Sequence, residues 1–206
     1  MIPRLRTVAE LAADPLQVAP LLLGDLLSVR CSRGTVTARI VEVEAYRGTT
    51  DPASHCYRGK TARNEVMWGG AGALYVYFVY GMHFCANVVC SVPGTAGAVL
   101  LRAGEVIEGT ELAGTRRPTA RAQAELGRGP ARLTTALGLD RSHNGALLAD
   151  PDSPVWLLAG DRIDTGLISS GPRVGVAAAA DLPWRFWITG HPAVSSYRRS
   201  SRVRQP

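Results

Sequence analysis

Apolar residues in this chain fall into short β-branched and aromatic runs, broken by Gly, Pro and polar turns. Residues 26–30 and 35–46 read as strands joined by a turn at Ser32-Arg33-Gly34. In the second run both parities are apolar: Val36, Ala38 and Ile40 on one, Val41 and Val43 on the other. That pattern marks a central strand covered on both faces. The even parity runs on into Glu42 and Glu44, so both carboxylates are expected to continue an apolar face. Residues 74–79 and 83–90 read as a hairpin around Tyr80-Gly81-Met82. Shorter strands are expected at 98–102, 155–158, 173–177 and 185–189.

Helical signals are fewer. Asp14-Pro15 opens a helix, Pro20 restarts or kinks it, and Gly24 ends it. Residues 105–112, 119–126 and 130–137 are helix candidates separated by Gly and Pro. Residues 49–67 are polar and read as a long loop, a feature often tied to function in a compact domain. From Tyr197 onward Arg198, Arg199, Arg202 and Arg204 lie among polar neighbours without periodicity, which reads as a mobile basic tail. With no internal repeat and no Pro/Ser-rich linker, the chain reads as one mixed α/β domain over residues 1–196, followed by that tail.

Composition narrows this picture. At 206 residues, 46% apolar and 19% charged, the chain can build a sizeable core, and global disorder is excluded. Net charge is +6, and of 23 basic residues only Lys60 is a lysine. A GC-rich genome accounts for most of that ratio; the positive sign favours a polyanionic partner. Cys31, Cys56, Cys85 and Cys90 form no C-x-x-C pair, and the N-terminus lacks a basic n-region followed by a small-residue cleavage site, so export is not expected. They read as reduced thiols of a cytoplasmic protein rather than a disulfide framework. No apolar run reaches membrane-spanning length.

Candidate chemistry gathers between residues 42 and 102. A carboxylate at the end of a buried strand, as at Glu44, is either a desolvated general base or an acid reaching solvent, and Glu42 can pair with an arginine. His55, in the loop, can orient a base or donate a hydrogen bond, or have no role. Tyr75 and Tyr77 share a strand face; Tyr80 and Met82 sit at the turn, exposed as an apolar wedge or folded back. Asn87 shares the parity of His83 and Cys85 and has to satisfy its amide or face a pocket. Arg102 can hold a phosphate or a substrate edge, or form an ion pair. His83 and Cys85 share a face, but Cys90 does not and no carboxylate is near, so no metal site is expected.

The order of these residues resembles the alkyladenine (3-methyladenine) DNA glycosylases of the mammalian type, which also occur in bacteria. The resemblance rests on E-A-Y at Glu44 to Tyr46, His55, Arg63-Asn64 and L-Y-V-Y-x-x-Y-G-M at Leu74 to Met82. It continues through Asn87, L-L-R at Leu100 to Arg102, Gly129-Pro130 and R-V-G-V at Arg173 to Val176. It implies an α+β fold: one compact domain with a curved, largely antiparallel sheet, flanking helices and a protruding β-hairpin. It implies Glu44 as the base that activates water, and Tyr46, His55 and Tyr77 as walls of a flipped-base pocket. Asn87 is implied as the residue that clashes with the guanine 2-amino group, Arg102 as a ligand that steadies water or backbone, and Tyr80 and Met82 as the intercalating wedge. His83 departs from the mammalian pattern, which has an aromatic there. The implied partner is double-stranded DNA with a damaged purine, met by a nucleoid-associated monomer without cofactor. A non-catalytic basic nucleic-acid-binding module and a free-nucleoside hydrolase are the competing readings.

Overall fold

A long central strand organises the molecule. The computed structural model describes residues 4–79, 81–92 and 94–201. Helices α1 (Val8–Leu11) and α2 (Pro15–Leu21) lead into β1 (Leu26–Cys31) and β2 (Gly34–Tyr46). The hairpin β3 (Leu74–Val79) and β4 (His83–Val89) follows, then β5 (Ala98–Glu108), α3 (Thr110–Arg116) and α4 (Pro130–Leu137). Three short strands close the chain: β6 (Val155–Leu158), β7 (Ile168–Gly171) and β8 (Arg185–Ile188). They form one eight-stranded sheet in the order β3-β4-β5-β2-β1-β6, with β8 joining β2 to β7. Every pairing is antiparallel. The architecture is thus the expected α+β one, and no helix among the described residues is long and apolar enough to cross a membrane.

Local chemistry explains the elements. Asp14 caps α2 by accepting from the Leu16 N–H, with Pro15 at the first helical position, where its missing donor matters least. The helix runs through Pro20 and ends one residue later. Helix α4 starts at Pro130 and stops at Gly138, whose left-handed backbone (φ 76°) an L side chain would strain. It buries Leu133, Ala136 and Leu137 against β4 and β5, and the Thr134 hydroxyl donates to the Phe84 carbonyl at 2.8 Å. The β3–β4 hairpin turns through Gly81 at φ 68°.

Four sequence expectations fail for identifiable reasons. The strand at 98–102 extends to Glu108, because residues 105–108 pair with β2 rather than coil into a helix; α3 begins only after Gly109. The helix at 119–126 is a single 3-10 turn, Gln123–Glu125. There Gln123 donates to the Val106 carbonyl and Glu125 accepts from the Arg121 N–H, so side chains satisfy the loop backbone. Residues 173–177 form no strand: the Val174 N–H is spent on the Glu44 carboxylate and that of Gly175 on the Arg198 carbonyl. Finally, Glu42 and Glu44 do not continue the face of Val36, Ala38 and Ile40. The β2–β5 register shifts between Ile40 and Val43, leaving Val41 unpaired on β2 and Arg102 unpaired on β5. Past these offset bulges the main core takes Val43 and Ala45 instead. Both glutamates therefore turn to the opposite side of the sheet, a re-aiming that bulges commonly achieve beside functional sites.

Sequence reading also missed α1 and β7. Of the segment from Tyr197 onward, the Tyr197 ring lies 5.4 Å from the Arg185 guanidinium and Arg199 pairs with Asp181 at 3.2 Å.

Candidate active site

The face onto which the bulges turn the two glutamates carries a cavity of about 590 Å³, well within the range that holds small ligands. Strand β2 supplies Glu44 and Tyr46 to its wall, β3 Tyr75 and Tyr77, β4 His83, Cys85 and Asn87, and β5 Arg102. The loop after β2 adds His55, the start of α4 adds Pro130 and Ala131, and residues 174–178 close one side. Of the residues singled out in the sequence, Glu44, Tyr46, His55, Tyr77, Asn87 and Arg102 all meet there. Met82 does not line the cavity; it stands on the hairpin tip, 70% exposed. Tyr80 lies outside the described residues.

Glu44 is fully buried. Its Oε2 accepts from the Tyr46 hydroxyl at 2.9 Å and its Oε1 from the Val174 N–H at 2.7 Å. The Arg102 guanidinium stands 3.4 Å from Oε1. Each oxygen thus has one short hydrogen bond and spare acceptor capacity beside an open volume. Burial first, and then the Glu44 charge, holds the Tyr46 hydroxyl well above its ordinary pKa, so it stays a donor.

The aromatic wall combines an edge-to-face contact with a stacked pair. His55 meets Tyr77 at 4.6 Å in a T-shaped contact, and Tyr77 stacks on Tyr75 at 5.3 Å. His55 Nδ1 lies 3.2 Å from the Tyr75 hydroxyl. Packing on its inner side, then the nearby Arg63 charge, pushes the imidazole pKa down to about 4, leaving a neutral ring near pH 7 that can both donate and accept. Burial also pushes the Tyr75 phenol up to about 12 and raises that of Tyr77. Asn87, opposite Tyr75 in the ladder, donates to the Tyr75 carbonyl at 3.1 Å, which fixes its amide in the cavity wall.

Several further residues hold this arrangement. Asp51 and Arg173 form a fully buried pair, with Arg173 also donating to the Ala45 carbonyl at 3.0 Å. That clamp fixes the backbone next to Val174, and the Arg173 guanidinium covers the Tyr46 ring at 4.6 Å. Asn64 bonds the Thr61 N–H and the carbonyls of His55 and Gly59, tying the loop that presents His55. Glu42 is buried against Arg102, Arg185 and Ser195. Glu42 was read as able to pair with an arginine, and it does; Arg173-Val174, within the R-V-G-V string, and Arg63-Asn64 carried a signal, and Asp51 carried none. Cys56, Cys85 and Cys90 are buried free thiols, whereas Cys31 is exposed. No group of His, Cys, Asp and Glu among the described residues has metal-binding geometry.

A buried carboxylate thus faces a cavity walled by aromatic rings, a shape that suits a flat, ring-shaped group. The chain belongs to the methylpurine-DNA glycosylase family, whose model matches residues 9–192, and so to the DNA N-glycosylases, hydrolases of DNA repair. It is similar to a protein of Nocardia farcinica, 53% identical over 202 residues that cover 96% of this chain and 93% of that one. A Rhodococcus jostii protein is 54% identical over 93% of this chain and 85% of its own. A Mycobacterium tuberculosis protein is 53% identical over 94% of this chain and 95% of its own. All three carry 3-methyladenine DNA glycosylase as a provisional name.

Proposed function

We propose that this protein removes damaged purines from double-stranded DNA by rotating the nucleotide into the cavity and hydrolysing its glycosidic bond with a water activated by Glu44. The carrying observation is the Glu44 carboxylate: buried, oriented by Tyr46 and Val174, and left with acceptor capacity at a cavity wall. Water gives a proton to Glu44 as its oxygen bonds C1′ of the deoxyribose. The C1′–N bond breaks with its electron pair leaving on the purine. The carboxylate also stabilises the positive sugar that develops. Tyr46, Tyr77 and His55 bound the space for the base. Cationic purines such as 3-methyladenine and 7-methylguanine gain about 0.5–2 kcal/mol from aromatic faces; a neutral His55 adds no repulsion. Hypoxanthine and ethenoadenine, which are neutral, depend more on hydrogen bonds to that imidazole and on shape. Asn87 crowds the guanine 2-amino group, and Arg102 steadies the water.

Met82, exposed at the hairpin tip, and its sequence neighbour Tyr80 fill the space the purine leaves, offsetting part of the few kcal/mol that extrusion requires. The only lysine, Lys60, pairs with Glu65 and does not line the cavity, so the reaction ends at an abasic site without a Schiff base. A release assay over a panel of modified bases in duplex DNA tests the proposal. Wild type is expected to free purine lesions, and Glu44→Gln to lose about 10²–10⁴-fold in single-turnover rate while still binding the lesion duplex. Retention of most of the rate by Glu44→Gln would remove Glu44 from the chemistry.

A further inference from the structure

Glu42 is a buried carboxylate that the reaction above does not use. Its Oε1 accepts from Arg185 at 3.0 Å and from the Ser195 hydroxyl at 3.0 Å, and pairs in charge with Arg102, whose Nε stands 3.1 Å away. Its Oε2 accepts from the Ser195 N–H at 2.7 Å. Arg102 is the extra residue of the β5 bulge, which sets its guanidinium between the two glutamates. Its Nε donates to the Ser195 hydroxyl, which in turn donates to Glu42, and stands 3.1 Å from the Glu42 carboxylate; what reaches Glu44 is one terminal nitrogen at 3.4 Å, longer than a charge-assisted hydrogen bond.

We infer that Glu42 is a positioning residue for the base: it competes with Glu44 for Arg102 and so leaves the Glu44 carboxylate free to take a proton from water. This rests on the reading of Glu44 as the base. Released from Glu42, Arg102 can close on Glu44 as a bidentate pair, which occupies both carboxylate oxygens and weakens them as proton acceptors. The other charged or titratable groups around Glu44 do not supply this balance. Arg185, opposite it on β8, is turned to Glu42; Arg173 is held by Asp51; Tyr46, Tyr77 and Cys85 are neutral in their ordinary forms.

The test measures single-turnover excision against pH on a hypoxanthine duplex for the full chain, with lesion-duplex affinity and active fraction determined on the same preparations. Glu42→Gln is expected to lower the plateau rate roughly 10-fold or more, and to move the acid limb of the profile down by about one pH unit. Affinity for the duplex should change less than about threefold. Ser195→Ala, which loosens Glu42 and keeps its charge, should move both quantities in the same direction by less. A purely structural role would reduce the active fraction alike at every pH and leave the acid limb in place, and that result overturns the inference. If Glu42→Gln does not fold, Ser195→Ala decides: an unmoved limb and rate overturn it. An active Glu44→Gln would bring down the reading of Glu44 itself, whereas an inactive Glu44→Gln beside an unchanged Glu42→Gln would bring down this inference alone.

Discussion

Asp51 and Glu44 are seven positions apart, equally buried, and each faces an arginine, yet their surroundings differ. Asp51 takes both terminal nitrogens of Arg173, the Arg47 N–H at 3.3 Å and the Ala53 N–H at 3.0 Å. Each of its oxygens therefore accepts twice, and it does not line the cavity. Glu44 has one short bond per oxygen, an arginine held back at 3.4 Å, and the cavity beside it. Burial alone does not mark a reactive acid. What separates the two is acceptor capacity left over after the protein's own donors are counted: the saturated carboxylate is a clamp, and the undersaturated one can act on a water.

The sharpest test of this contrast pairs two substitutions. Glu44→Gln is expected to reduce excision by about 10²–10⁴-fold with a smaller loss of unfolding free energy than any removal of Asp51. Asp51→Ala leaves Arg173 as an uncompensated buried charge and should cost about 3–5 kcal/mol in denaturant-induced unfolding. Adding Arg173→Met to Asp51→Ala should recover part of that loss; if Asp51→Ala alone were as stable as wild type, the clamp reading would fail. Tyr46→Phe removes one of the two short bonds to Glu44 and should lower the single-turnover rate about 10-fold, near the ~1–1.5 kcal/mol of one hydrogen bond. The smallest effect is in His55. Its folded-state pKa is depressed to about 4 from an ordinary 6.5, so the unfolded chain takes up the proton first. The sign is that stability is lost as pH falls from about 6.5 toward 4. Comparing wild type with His55→Gln over that window should show the excess loss only in wild type.

The residues that meet at the cavity were picked out by the resemblance, most of them on strands whose pattern is strong; each residue alone left a bland reading open. The tyrosines of β3, the return strand with Asn87, and Glu44 at the end of β2 follow from alternation and from the hairpin string. The direction in which Glu44 points did not follow. Alternation carried it onto the face of Val36 and Ile40, and only the offset bulges at Val41 and Arg102 reverse that. A bulge is one unpaired residue, with no compositional mark in a run where both parities are apolar. The Asp51–Arg173 pairing was hidden for another reason: it spans 122 positions, Asp51 reads as a loop charge, and Arg173 reads as the first residue of a strand that does not form. The misread helix at 105–112 shows pairing with β2 overriding a local pattern that suits either state.

The four thiols differ in a way that bears on chemical stress. Burial raises the pKa of Cys85, in the cavity wall, and pushes those of Cys56 and Cys90 up to about 11 and about 12. On the β1–β2 hairpin, the Arg33 N–H and then the Arg116 charge lower that of exposed Cys31. Electrophiles attack thiolates far faster than thiols. A methyl donor is therefore expected to modify exposed Cys31 ahead of the buried Cys85 in the cavity wall. Peptide mapping after graded exposure to a methyl donor should find Cys31 modified first, with excision undiminished.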